Sequence, residues 1–381
     1  MAVFAGIAVA NIYYNQPLLG LIEADYPNSS AIGLIPTATQ FGYAVGLLGL
    51  VPLGDLVERR RIIAVQFLVL AAALAFAAVA PTTLALIAAS LMLGVAATVA
   101  QQIVPFAATL ADDRTRGAAV GTVVSGILGG ILLSRTIAGF VGSHFGWREM
   151  FWLGVPLALG AAVLVRLILP RHRATQSIGY TVALRSLVHL LVEEPALRLA
   201  AATQAMLFAS FIAFWTVLSL HLQEPAFRLG PEIAGLFGVI GASGMFAAPI
   251  AGRVADKRGP HLVIAVAAAI SLSSWLVFVG WNGVAGLVVG VVLLDVGVNA
   301  ALVSNQHLIF ALRPEARSRL NTVFMTAMFI GGSLGSFGAS WTYTHLSWPG
   351  VCAYGALLAA AGLLLQLPTI LPQTGEKGSH R

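Results

Sequence analysis

The sequence predicts an all-α integral membrane protein: twelve transmembrane helices in two pseudo-symmetric six-helix bundles around a central cavity. Composition, the spacing of apolar runs and an internal repeat carry that prediction. The 381 residues are 58% apolar and only 9% charged, with a mean hydropathy of +0.89. Soluble domains carry about 25% charged residues, so this chain has too few to cover a water-facing surface. A soluble enzyme, a nucleic-acid binder and a disordered chain are excluded on that ground. The net charge of +6 has no basic stripe behind it and reports membrane topology instead. A single cysteine, Cys352, excludes a disulfide framework and a thiolate metal site.

A helix crosses ~30 Å of hydrocarbon in about 20 apolar residues. That window marks Ala2–Leu21, Ala31–Leu53, Ile62–Ala80, Leu84–Leu110, Ala118–Val141 and Met150–Leu169 in the first half. In the second half it marks Leu199–Leu222, Ile233–Ile250, Leu262–Gly280, Val284–Leu312, Leu320–Trp341 and Val351–Leu371. Pro, Gly, Asn and charge punctuate the short loops between them. No ten-residue alternation of the kind a lipid-facing barrel needs is present. The first segment lacks a basic start, and Asn11 to Pro17 makes a poor apolar centre, so it is not a cleavable signal peptide. The few residues before it lead us to expect a shortened N-terminus.

Charge orients the spans. With the N-terminus inside, all but three of the 21 Lys and Arg residues fall on the cytoplasmic side. Arg148 and Arg228 lie outside, and Arg135 lies within the fifth span. Both termini are expected in the cytoplasm. The expected division is an N-terminal bundle over 1–169, a cytoplasmic linker over 170–198, and a C-terminal bundle with a short tail over 199–381. Within the linker, Ile178 to Leu191 sets an apolar face beside Arg185 and His189, which predicts a short surface helix acting as a tether.

A shift of 201 residues superposes scarce residue types without a gap: Asp55 on Asp256, Arg116 on Arg317, His144 on His345, Trp147 on Trp348. Parallel repetition of six spans implies two bundles related by an axis along the membrane normal, with a ligand site between them.

Two loops in corresponding places carry the next signal. One reads Val51-Pro52-Leu53-Gly54-Asp55-Leu56-Val57-Glu58-Arg59-Arg60-Arg61; the other reads Gly252-Arg253-Val254-Ala255-Asp256-Lys257-Arg258-Gly259-Pro260-His261. The second resembles the G-x-x-x-D-R-x-G-R-R loop of the major facilitator superfamily of secondary transporters, and the first is similar. Gln102 to Ala108, Arg116-Gly117, Gly130 to Thr136 and Gly146-Trp147-Arg148 resemble that superfamily's drug/proton antiporter-like branch, which includes sugar-efflux relatives. The chain departs from that branch at Arg135-Thr136, where a G-P pair is usual, and at Ser90, where a buried Arg is usual. The resemblance implies a bacterial inner-membrane location, export, and a gating role for Asp55, Arg59, Arg60, Gly252, Asp256, Lys257 and Arg258. It also implies that Asp55 faces span eleven near Ser318 and Arg319, and that Asp256 faces span five near Gly117. Carboxylates are favoured at helix N-termini, so these contacts would hold the cytoplasmic ends together.

Ionisable residues deep in a membrane are site candidates by their cost. Two lie deep here, Arg135 and Asp295. Asp295 is the proton-coupling candidate, with Asn299 on the same helical face; pairing that only holds helices together is the alternative. Arg135 is a candidate partner for an anionic solute, or else a donor to exposed carbonyls in span five. Further cavity candidates are Asn11, Tyr14, Asn15, Gln16, Gln40, Gln101, Gln102, Gln204 and Trp215. Gly42/Gly46, Gly126/Gly130 and Gly331/Gly335 have the small-x-x-x-small spacing of close helix contacts. Gly241-Ala242-Ser243-Gly244 resembles an intramembrane serine protease motif, yet no histidine lies deep in any span. Gly331-Gly332-Ser333-Leu334-Gly335 fits a hydrolase elbow only by ignoring its helical context. A membrane enzyme and a passive channel are the minor alternatives. With no ATP-binding P-loop and a buried carboxylate present, the expected function is proton-coupled efflux of a small solute by alternating access. A uniporter or proton symporter of the same fold is the alternative. No cofactor, metal or nucleic acid is expected, and the partners are the lipid bilayer and the solute, with the monomer as the working unit.

Overall fold

Proline and glycine decide where the apolar runs break. The computed structural model describes residues 1–27, 29, 31–112, 115–171, 179–313 and 316–370, without the side chains of Asp55, Met245, Phe246 and Ala248. Span one is three pieces: Ala2–Ala10, a 3-10 turn over Asn11–Tyr13, and Asn15–Asp25. Pro17 explains the interruption, since it has no N–H for the Tyr13 carbonyl and its ring clashes there. Spans two and three are Leu34–Gly49 and Arg59–Ala78. Span four joins Thr83–Ala97 to Val99–Leu110 and starts at Thr82, whose hydroxyl accepts the Ala85 N–H at 3.2 Å. Spans five and six are Arg116–His144 and Trp147–Ile168.

The linker forms the helix Tyr180–Glu193, and span seven follows as Pro195–Gln223. Span eight is divided into Pro231–Gly241 and Gly244–Arg258. Spans nine and ten are Pro260–Gly280 and Val284–Leu312. Spans eleven and twelve share the run Arg317–Ile370, broken at Ser347. Prolines open spans seven, eight and nine, where no N–H is needed. The structure interrupts the first, fourth and eighth spans. Residues 172–178 of the linker and the tail 371–381 lie outside the described residues.

The repeat is visible in the backbone. Gly146 (φ 114°) and Ser347 (φ 54°) occupy equivalent positions, each turning the chain between two spans. Just upstream, His144 Nδ1 lies 2.9 Å from the Phe140 carbonyl, and His345 Nδ1 lies 2.8 Å from that of Trp341. The three glycine pairs mark close helix contacts. Gly42 and Gly46 face span four, Gly126 and Gly130 face span one, and Gly331 and Gly335 face span seven, each against backbone carbonyls.

The two halves touch unequally. One end of the molecule carries the Asp55 and Asp256 loops and is called the basic end here. Hydrogen bonds join the two six-helix halves toward the other end. Ser219 donates to the Pro17 carbonyl at 2.9 Å, Thr136 to Gly235 at 3.2 Å, Ser340 to Gly33 at 3.2 Å, and Thr37 to Ser336 at 3.1 Å. Near mid-span Tyr43 stacks on Phe329 at 4.1 Å between ring centres. At the basic end, space remains open beside Gly117 and Gly121 at the start of span five.

Candidate functional site

Span five carries a guanidinium into an apolar bundle, so its charge must be offset locally. Arg135 is 3% exposed. Its Nε donates to Gln16 Oε1 at 2.8 Å. Its Cζ lies 4.0 Å from the ring centre of Trp215, in the second half, and 4.5 Å from that of Tyr13, in the first. Cation–π contacts of this kind are worth about 2 kcal/mol when desolvated.

Asp295 of span ten is 5% exposed. Its charge acts on Arg135 and on Tyr13, yet no ion pair within 4.0 Å joins it to Arg135. The Trp215 N–H approaches the Asp295 carboxylate without closing a hydrogen bond of ordinary geometry. Arg135 Nη2, Asp295 Oδ2, Trp215 Nε1 and Gln16 Nε2 are each buried with no hydrogen-bond partner. Beside them lies a narrow space, too tight to hold a water molecule, lined in part by Gln16, Arg135, Trp215 and Ser219. Small-molecule sites run to ~300–1,000 Å³, so in this conformation the space is collapsed.

Two of the three helix interruptions, those of spans one and eight, sit at this place. The turn in span one brings Tyr13 and Gln16 to Arg135. The break in span eight lies against span ten. A Cβ on Gly241 would stand 2.9 Å from the Trp215 ring and 3.0 Å from Asp295 Oδ1, and one on Gly244 would stand 2.7 Å from the Asp295 backbone. Only glycine lets the eighth span approach this closely. One interrupted helix from each half therefore meets at a buried, unpaired cation and anion.

Other predicted residues lie apart from this pair. Asn15 donates to Thr39 at 2.9 Å, and Asn11 to the Ile7 carbonyl at 2.6 Å. Gln40 is buried with both amide atoms unpartnered. Gln101 donates to Tyr43 at 3.2 Å, and Gln204 accepts from Asn305 at 3.2 Å. Gln102 donates to the Leu50 carbonyl at 2.5 Å, which places it under the loop and away from the charges. Asn299 bonds the Asp295 carbonyl at 2.9 Å, not its carboxylate. Tyr14 is buried, but its neighbour Tyr13 is the one that reaches Arg135. Tyr13 was missed because the 3-10 turn shifts the helical phase; Pro17 four residues later was the available signal. Ser243 Oγ is buried without a partner at the break in span eight.

At the basic end, Arg59 donates to the Gly54 carbonyl at 3.1 Å and to Thr109 at 3.2 Å. Arg60 pairs with Glu58 at 3.3 Å and reaches the Leu169 carbonyl at 3.3 Å. Asp256 was expected to face Gly117. In the structure its partner is His307 of span ten, at 3.7 Å, and its side chain is 62% exposed. Lys257 and Arg258 are exposed beside it, and Gly252 packs toward Val303. The space beside Gly117 is open, so the expected contact is not made in this conformation. The expected contact of Asp55 lies outside the described residues.

Comparison with known proteins agrees with this architecture. The family model described as Major Facilitator Superfamily matches residues 1–301 and 243–380. The chain is 39% identical over 368 residues to the uncharacterized transporter YgaY of Escherichia coli O157:H7, covering 96% of this chain and 93% of the relative. It is 34% identical over 190 residues to the chloramphenicol resistance protein of Streptomyces lividans, covering 48% of this chain and 44% of that one. A crystal structure of a D-xylose-proton symporter superposes with a TM-score of 0.71 at 16% identity, covering 96% of this chain and 95% of that one.

Proposed function

This chain belongs to the Major Facilitator Superfamily, a family of membrane transporters and not of enzymes, and we propose that it moves a small solute by alternating access, driven by protons through Asp295. The observation that carries this reading is the unpaired Arg135 and Asp295, buried between two interrupted helices of opposite halves. Interrupted helices at a repeat interface are where secondary transporters bind solute and coupling ion. We assign the basic end to the cytoplasm of a bacterial inner membrane, with both termini there. On that assignment the conformation is open inward and closed outward, and the two bundles, 1–169 and 199–381, rock about the charge pair. The monomer is the working unit.

Two forms of coupling share this site. Exchange of solute for protons, with export, is supported by the resemblance to the drug/proton antiporter branch and by the likeness to a resistance protein. Co-transport is favoured by one specific feature, the fixed cation of Arg135 beside the carboxylate. The test is transport in proteoliposomes with an imposed pH gradient, screening solute pools with wild type and Asp295→Asn. Loss of coupled proton flux in the variant is expected; equal flux in both would end the carrier role of Asp295.

A further inference from the structure

We infer that the transported solute carries a carboxylate, which docks on Arg135 and is bound together with the proton on Asp295. This inference rests on the reading of the Arg135–Asp295 site given above. Three unpartnered donors, Arg135 Nη2, Gln16 Nε2 and Trp215 Nε1, stand against one unpartnered carboxylate oxygen, Asp295 Oδ2. All three donor residues line the same narrow space. A buried donor without an acceptor is costly, most of all when it is charged. The occupant that satisfies this set brings acceptors, and a carboxylate brings two oxygens in the plane a guanidinium matches.

A cationic solute meets the opposite situation. Arg135 is held in place, because its Nε donates to Gln16 and its guanidinium lies between the Tyr13 and Trp215 rings. Like charges in a water-poor site repel strongly.

Asp295 then decides the sign of coupling. The titratable groups that face it are Arg135 of span five and Tyr13 of span one. Ionised, Asp295 offsets Arg135 and repels an incoming carboxylate. Protonated, it does neither and adds an O–H donor. The proton comes from water on one side and returns to water on the other. Proton and carboxylate therefore raise each other's affinity by the same factor. They cross together, which makes the coupling co-transport for this class of solute.

The experiment is binding to the purified full chain in nanodiscs, using benzoate and acetate, each against its uncharged amide. Between about pH 5.5 and 8 these acids stay ionised. We expect both carboxylates to bind, more tightly as pH falls, and the amides not to bind. Arg135→Gln is expected to weaken benzoate roughly ten- to a hundredfold, the scale of a charge-assisted hydrogen bond. Trp215→Phe keeps the ring and loses the N–H, with a severalfold loss, and covers the case in which Arg135→Gln fails to fold. Asp295→Asn is expected to retain benzoate binding and to lose its pH dependence. Amides binding as well as the acids, unchanged benzoate affinity in both Arg135→Gln and Trp215→Phe, or affinity that rises with pH would overturn the inference. Proton-coupled transport of other solutes with no carboxylate binding would remove the solute class and leave the proposed transport standing. Carboxylate binding with unchanged proton flux in Asp295→Asn would remove the carrier role and with it the joint binding.

Discussion

The hydroxyl of Ser340 donates a 3.2 Å hydrogen bond to the carbonyl of Gly33, joining span eleven to the start of span two across the seam. The contact is close enough that a Cβ on Gly33 would stand 2.4 Å from Ser340 Cβ. Gly33→Val is therefore expected to wedge this end apart and shift the population toward the state open there. Double electron–electron resonance between labels at the two ends measures the shift; an unchanged distance distribution would contradict it.

Asp256 is exposed in this conformation and pairs with His307. Asp256→Asn should leave thermal stability within about 0.5 kcal/mol of wild type, as for an ordinary surface change. If the carboxylate holds the basic ends together when they close, transport should nevertheless slow. A transport rate equal to wild type would count against gating.

Gly241 and Gly244 hold spans eight and ten together at the site. Alanine at either overpacks the contact, which costs ~1–3 kcal/mol. Gly244→Ala meets backbone and should lower the melting temperature. Gly241→Ala meets the Trp215 ring and Asp295, and should also depress solute binding. Calorimetric unfolding and a binding isotherm on each variant separate the two effects.

Beyond the apolar runs Ala2–Leu21 and Met150–Leu169, at the exposed ends of their helices, the Trp147 N–H donates to Asp25 at 2.9 Å and Arg148 pairs with the same carboxylate. The Trp147 hydrogen bond first, and then Arg148, hold the Asp25 carboxyl below its ordinary value. A group depressed on folding stabilises above its unfolded pKa and loses that contribution as pH falls through the folded value. Trp147→Phe should thus be destabilising at neutral pH, by a difference that shrinks below about pH 4. Melting temperatures at several pH values check it.

Tyr180 of the linker helix donates to the Gly49 carbonyl at 2.9 Å, while Arg313 pairs with Glu193 at 3.0 Å and Glu194 at 2.7 Å. The strap so joins the end of span two to the end of span ten. Arg313→Ala should raise amide exchange over residues 180–193. If the strap is only a tether, transport is unchanged; slowed transport would show that it takes part in the swing.

Membrane residence, the twelve spans and the duplicated plan were all legible in composition, hydropathy and the 201-residue shift, because each is a property summed along the chain. Arg135 and Asp295 were legible singly, since any charge in an apolar run stands out. Their meeting was not. Residues 16, 135, 215 and 295 come from four spans, and nothing local records that packing brings them together. Among the amides the sequence could not separate Gln16, which binds Arg135, from Gln102, which props a loop, because both are polar residues in apolar helices.

Helical phase was the other limit. A uniform helix makes Tyr14 as good a candidate as Tyr13, and only the 3-10 turn before Pro17 sets Tyr13 against the guanidinium. The chain's own chemistry determined that it lives in lipid and folds as two related bundles, since unpaired backbone and scarce charge permit little else there. Which buried polar groups share a site, and which end stands open, was decided by tertiary packing, because helix contacts depend on phase, interruptions and glycine clearances that no sum over residues contains.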